Sequence, residues 1–142
     1  MGDNTIRPKL VVSDAAAAID FYRDVLGAEL ISSYPVGDRI VFAELEVFGC
    51  SVTLKDADDT DPAATAQTPG SILDVVTPEP DAVAAAMVDA GAEIIFPVAD
   101  QAYGARGGRV RDPFGVQWLL QTPVTVSPEE WPEVLERMQA EG

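Results

Sequence analysis

Apolar and polar positions along the chain switch twice between a period of two and a helical period. Lys9 to Val12 reads as a strand. After it, Ile19, Tyr22 and Leu26 recur at helical spacing and predict a buried helical stripe. Ser13 or Asp14 supplies the acceptor that caps this helix, and Gly27 ends it, because glycine takes the left-handed conformation without a side-chain penalty. Strand-like runs follow at Leu30 to Tyr34, Arg39 to Val47 and Cys50 to Leu54, with turns at Gly37-Asp38 and Phe48-Gly49. The same order then returns. Ile72 to Thr77 is a strand, with Thr77 as cap and prolines at 78 and 80 near the first helical turn. Val83, Met87 and Val88 form the apolar side of that helix, and Gly91 stops it. Strands at Glu93 to Pro97, about Gly108 to Arg111, and Val116 to Thr122 complete the series, with Asp112-Pro113-Phe114-Gly115 as a turn.

The recurrence is visible in the residues themselves. Gly27-Ala28-Glu29-Leu30-Ile31 returns 64 positions later as Gly91-Ala92-Glu93-Ile94-Ile95, and at the same offset Val12 meets Val76 and Ser13 meets Thr77. The chain is therefore expected to be one α+β domain of two βαβββ modules, at about 6–55 and 70–122. Neither module closes a sheet alone; two together form a curved eight-stranded sheet with a concave cleft. Between them, 56–69 is acidic and without periodicity, which predicts a mobile linker or lid. From Ser127 a final helix is expected over about 127–140, with Ser127 as cap, Pro128 in the first helical position, and Trp131, Val134, Leu135 and Met138 on its apolar side.

Composition narrows the chemistry. The 142 residues include no histidine, which removes the usual base near neutral pH and the commonest ligand for zinc, nickel and iron. Cys50 is the only cysteine, so neither an intrachain disulfide nor a thiolate cluster can form, and its apolar run predicts a buried, inert thiol. A net charge of −15 argues against nucleic acid and anionic membrane surfaces and favours cationic ligands. No stretch approaches the roughly 20 apolar residues of a membrane helix. The start, Met1-Gly2-Asp3, has no leader pattern, and Ile6 is wrong for acylation of Gly2. A cytoplasmic protein is expected.

Two segments carry a family resemblance. Pro8-Lys9-Leu10-Val11-Val12-Ser13-Asp14, running through Ile19-Asp20-Phe21-Tyr22 to Leu26-Gly27-Ala28-Glu29, resembles the first strand and helix of the vicinal-oxygen-chelate superfamily. This is the class of glyoxalases, bleomycin-resistance proteins and extradiol dioxygenases. Tyr103-Gly104, then Arg106 to Gly115, then Trp118 and Leu120, resembles the final hairpin of its PhnB-like branch. The resemblance covers about 6–122. It implies two modules around one cleft, commonly a homodimer with some N-terminal strand exchange, and, in the family's enzymes, a divalent metal held by His and Glu.

Carried over position by position, those ligands are largely missing. The first falls at Arg7, a cation, the second at Ser71, and the last at Leu119; where relatives place His after the turn glycine, Val116 stands. Only Glu44 or Glu46 could fill the remaining position. No metal and no cofactor are expected.

Alternation then assigns the cleft face. With Arg7, Ser71 and Leu119 facing inward, Lys9, Val11, Leu73, Val75, Gln117 and Gln121 join them, as do Ile40, Phe42, Glu44 and Glu46, with Arg109 and Arg111 from the hairpin. Candidate ligand contacts are Arg7, Lys9, Phe42, Glu44, Glu46, Ser71, Tyr103, Arg109, Gln117 and Leu119. The charged members read equally well as solvated salt bridges, Phe42 and Trp118 as core, and Tyr103 as ordinary packing. The leading expectation is a metal-independent binding protein sequestering a small, cationic antibiotic or metabolite. The alternative is a metal-free lyase or isomerase using Glu44 or Glu46 as base beside Arg7 or Arg109. A third is a dimeric interaction module without chemistry.

Overall fold

A computed structural model describes residues 4–65 and 67–141; residues 1–3, among them Gly2, lie outside it, as do 66 and 142. The first module is β1 (Lys9–Val12), α1 (Ala15–Leu26), β2 (Glu29–Val36), β3 (Arg39–Val47) and β4 (Cys50–Asp56). The second is β5 (Ile72–Val76), α2 (Pro80–Asp89), β6 (Glu93–Asp100), β7 (Arg106–Arg111) and β8 (Gln117–Gln121), and α3 (Trp131–Glu141) closes the chain. The eight strands form two four-stranded sheets of the same topology, β1-β4-β3-β2 and β5-β8-β7-β6. In each, the outer strand joins in parallel and the rest are antiparallel. No helix is long and apolar enough to cross a membrane.

Local chemistry explains the elements. Asp14 caps α1 by accepting from the Ala17 N–H at 3.0 Å, and Gly27 closes it at φ 68°. Ala15, Ala18, Ile19 and Tyr22 are its buried stripe. Thr77 does not cap α2: the helix starts at Pro80, after Glu79, and the Thr77 hydroxyl accepts from the Glu79 N–H at 3.2 Å instead. Ser127 does form a capping pair with Glu130, but a turn follows it and α3 begins only at Trp131.

One core serves both modules. Leu10, Val12, Leu45, Leu54, Val75, Met87, Trp118 and Leu120 all belong to it. At the joint, Asp112 lies 3% exposed and accepts four hydrogen bonds. The Tyr22 hydroxyl donates at 2.6 Å and the Trp118 indole at 2.9 Å. The Phe114 and Val116 N–H groups donate at 2.9 and 3.0 Å. Burial raises its pKa, and those donors oppose the rise. The Asp-Pro-Phe-Gly turn thus fastens α1 of the first module to β8 of the second.

The acidic connection is a pinned strap. Lys55 reaches Asp58 at 2.8 Å and Asp61 at 2.6 Å. Further on, the strap passes so close to Gly115 that a Cβ there would stand 2.4 Å from the Ala64 carbonyl oxygen. Cys50 is exposed rather than buried. It pairs with Val47 across the two-residue Phe48-Gly49 turn, at the turn end of the hairpin.

Candidate functional site

The sheet faces opposite the core carry the candidate chemistry. On the first sheet, Lys9 pairs with Thr53 and Thr53 with Glu44, so one row reads Lys9–Thr53–Glu44. The next row pairs Ser51 with Glu46 and Glu46 with Glu29. Arg7, just before β1, places Nη1 3.4 Å from the Glu44 carboxylate, and the Ser51 hydroxyl donates to the same oxygen at 2.6 Å. Lys9 lies 5.7 Å over the Phe42 ring, which meets Tyr34 at 5.8 Å. Phe42 is half-buried and stands outside the core. Glu46 is exposed and has no ion pair among the described residues. Ile40 departs from the expected face and packs against the core.

On the second sheet the corresponding rows are Asp74–Leu119–Arg109–Phe96 and Ile72–Gln117–Arg111–Glu93. Arg109 lies 5.4 Å over Phe96, and its Nη1 donates a long 3.4 Å bond to Gln117. Gln121 donates to Asp74 at 2.9 Å, and Arg111 pairs with Glu93. The Nε atoms of Arg109 and Arg111 are buried without a partner. Tyr103 stacks on Trp131 of α3, rings 6.2 Å apart and 20° from parallel. Burial raises the Tyr103 phenol's pKa, nearby Asp74 adds to the rise, and Arg109 opposes it.

Two sequence expectations fail here, for one reason. Leu73 and Val75 face the core, and Ser71 sits in the exposed loop before β5, where it borders a recess of about 270 Å³ with Lys9 and Val11. The 64-residue offset holds for Glu29 and Glu93, each of which opens the second strand of its module. It does not hold for β1 and β5. There the registers equate Lys9 with Asp74, hence Arg7 with Ile72, an offset of 65. The second module is one residue shorter between its first two strands. That single residue exchanges the faces, so Ile72, Asp74 and Val76 share the face of Leu119. A signal was present in the sequence: turning Leu73 and Val75 inward forces the Asp74 carboxylate into the core.

The structure therefore gathers Arg7, Lys9, Phe42 and Glu44 on one face, with Glu46 beside them. Arg109, Gln117 and Leu119 lie on the other, with Tyr103 near its Arg109 and Asp74. Among the described residues, no hydrogen bond, ion pair or aromatic contact joins the two groups. The module contacts seen are on the core side, such as Tyr22 with Trp118 at 5.6 Å.

A divalent metal of the kind the family's enzymes use does not fit these side chains. Arg7 is a cation, Ile72 and Leu119 offer no donor, and Glu44 is already engaged by Arg7 and Ser51. Among the described residues, no three of His, Cys, Asp and Glu are placed to hold a metal ion.

Comparison with known proteins agrees with this architecture. The sequence model of the Glyoxalase/Bleomycin resistance protein/Dioxygenase superfamily matches residues 5–120. An uncharacterized protein of Mycobacterium tuberculosis (strain H37Rv) is 36% identical over 127 residues, covering 84% of this chain and 74% of that one. Among solved structures, TioX from Micromonospora sp. ML1 superposes with a TM-score of 0.67 at 24% identity, over 84% of this chain and 98% of TioX. The fosfomycin resistance protein FosX from Listeria monocytogenes, complexed with Mn(II) and sulfate, gives 0.63 at 16% identity, over 93% of this chain and 99% of FosX. At these identities the two structures attest the fold alone. The family match and the mycobacterial relative, with the paired βαβββ modules, place the chain in the glyoxalase/bleomycin resistance protein/dioxygenase superfamily.

Proposed function

We propose that this protein binds a small organic molecule without a metal and sequesters it, an antibiotic or a metabolite, in the cytoplasm. One observation carries this reading. Arg7, which the family resemblance puts at the first metal-ligand position, lies with Nη1 3.4 Å from Glu44, the carboxylate best placed to assist. Two positions that would grasp a cation together instead neutralise one another. The faces around them mix aromatic rings, amides and charges, a lining suited to a polar organic ligand. The family precedent of pairing supports a homodimer, and exposed Ile72, Val76, Ile31 and Tyr34 offer apolar surface for it.

The lyase alternative loses Glu44, which is held by Ser51 and Arg7, and would rest on Glu46 as the base.

The test is a thermal-shift screen against antibiotics and aromatic metabolites, run with and without a chelator. A true ligand stabilises by mass action, by about 2.7 kcal/mol at roughly a hundred times its dissociation constant. The reading requires a hit whose shift is unchanged by chelator. A hit that disappears with chelator contradicts it.

A further inference from the structure

The duplicated modules invert charge at equivalent positions. Glu44 and Glu46 on β3 correspond to Arg109 and Arg111 on β7, through the rows that end on Glu29 and Glu93. In the first module the inner charge is answered from within the chain: Arg7 reaches Glu44. In the second module the position equivalent to Arg7 is Ile72, which is apolar and 44% exposed. Among the described residues, no carboxylate pairs with Arg109. Asp74 lies in the same row with Leu119 between them, and is engaged by Gln121.

Lys9, over Phe42 on the first sheet, likewise has no ion pair among the described residues, but it is exposed. Three other cations are paired. Arg111 has Glu93, Arg106 has Asp81 and Asp100, and Lys55 has Asp58 and Asp61. Arg109 is half-buried, so the lack of a carboxylate partner costs it more than it costs an exposed cation. Its environment is also unfavourable unless something answers it. Nε is buried and unpaired, and Nη1 has only the 3.4 Å contact with Gln117. An unanswered buried donor costs more than a made bond returns. Phe96 beneath the guanidinium holds its plane while leaving its donors unused.

We infer that Arg109 anchors the anionic group of the bound molecule, so that the ligand is a small organic acid carrying a carboxylate. This rests on the binding function proposed above and names the chemistry it selects. A guanidinium presents parallel N–H donors that match the two oxygens of a carboxylate. Phe96, Leu119 and Ile72 offer apolar surface to the remainder of such an acid. The acidic net charge of the chain slows anion capture at long range, and selectivity then comes from the local fork.

A matched pair of probes tests this, 2-naphthoate and the uncharged 2-naphthamide. Each is titrated into the full chain, with the arginine Nε–H signals followed by nuclear magnetic resonance. The Arg109 signal is assigned by its loss in Arg109→Gln. Naphthoate should bind at least about tenfold tighter than naphthamide and shift that signal. Arg109→Gln should abolish the preference, Arg109→Lys should restore part of it, and Arg23→Gln on the far helix should leave it intact. Equal binding of the two probes, or naphthoate binding that survives Arg109→Gln, overturns the organic-acid inference while the binding function stands. If neither probe moves any resonance of either sheet face, the binding function falls and the inference with it.

Discussion

Asp112 ties the two modules together at one buried point. It is buried, and it satisfies the Tyr22 hydroxyl and the Trp118 indole together with two backbone N–H groups. Asp112→Ala would strand all four donors and should cost about 3 kcal/mol or more in urea unfolding. Tyr22→Phe removes one donor and should cost about 1.5 kcal/mol. Two acids should also shape the pH dependence in opposite senses. Asp112 is harder to ionise in the fold than in the open chain, because burial outweighs its donors. Its contribution is therefore greatest at low pH and declines as pH rises from the ordinary carboxylate range through its raised value. Asp58 is lowered from 3.8 to about 2, chiefly by its hydrogen bond from Lys55. Its contribution is present above pH 3.8 and is lost as pH falls toward about 2. Denaturation midpoints across pH 2 to 6 should show a shallower acid decline for Asp58→Asn and a weaker opposing slope for Asp112→Asn.

At the scale of elements, the strap between the modules is held by small residues and one turn. Gly115 has φ 88°, and a Cβ there would collide with the Ala64 carbonyl. Gly115→Ala should cost at least about 1 kcal/mol and open residues 57–69 to limited proteolysis; an unchanged cleavage rate would show that the strap holds without this contact. The strap also shows where sequence reading reached its limit. Its acidic, aperiodic composition carried no pattern, and nothing local revealed that Lys55 would gather Asp58 and Asp61. By contrast the order of strands and helices was legible, because the periods are clean and Asp14 and Gly27 mark α1 at both ends. The β5 face was misread because it was set from Ser71, the position carried over from the family, whereas the strand registers equate Arg7 with Ile72. Cys50 was misread because its run is apolar, while it stands beside the exposed Phe48-Gly49 turn.

At the scale of the molecule, two similar sheets share one core and turn opposite faces outward with inverted charge. The absence of histidine and the identities at 7, 44 and 119 were readable from the sequence, and they already disfavoured a metal. Which charges remain open was not readable, since it depends on cross-strand register and on Ile72 replacing a charged residue. Sedimentation velocity should find a dimer at micromolar concentration; a monomer there would remove the role given to exposed Ile72 and Val76. The most direct test of the whole account is elemental analysis of protein expressed with zinc, nickel, manganese and iron supplied, then dialysed. The account predicts metal far below one equivalent per chain. One tightly held equivalent of any of the four would contradict it.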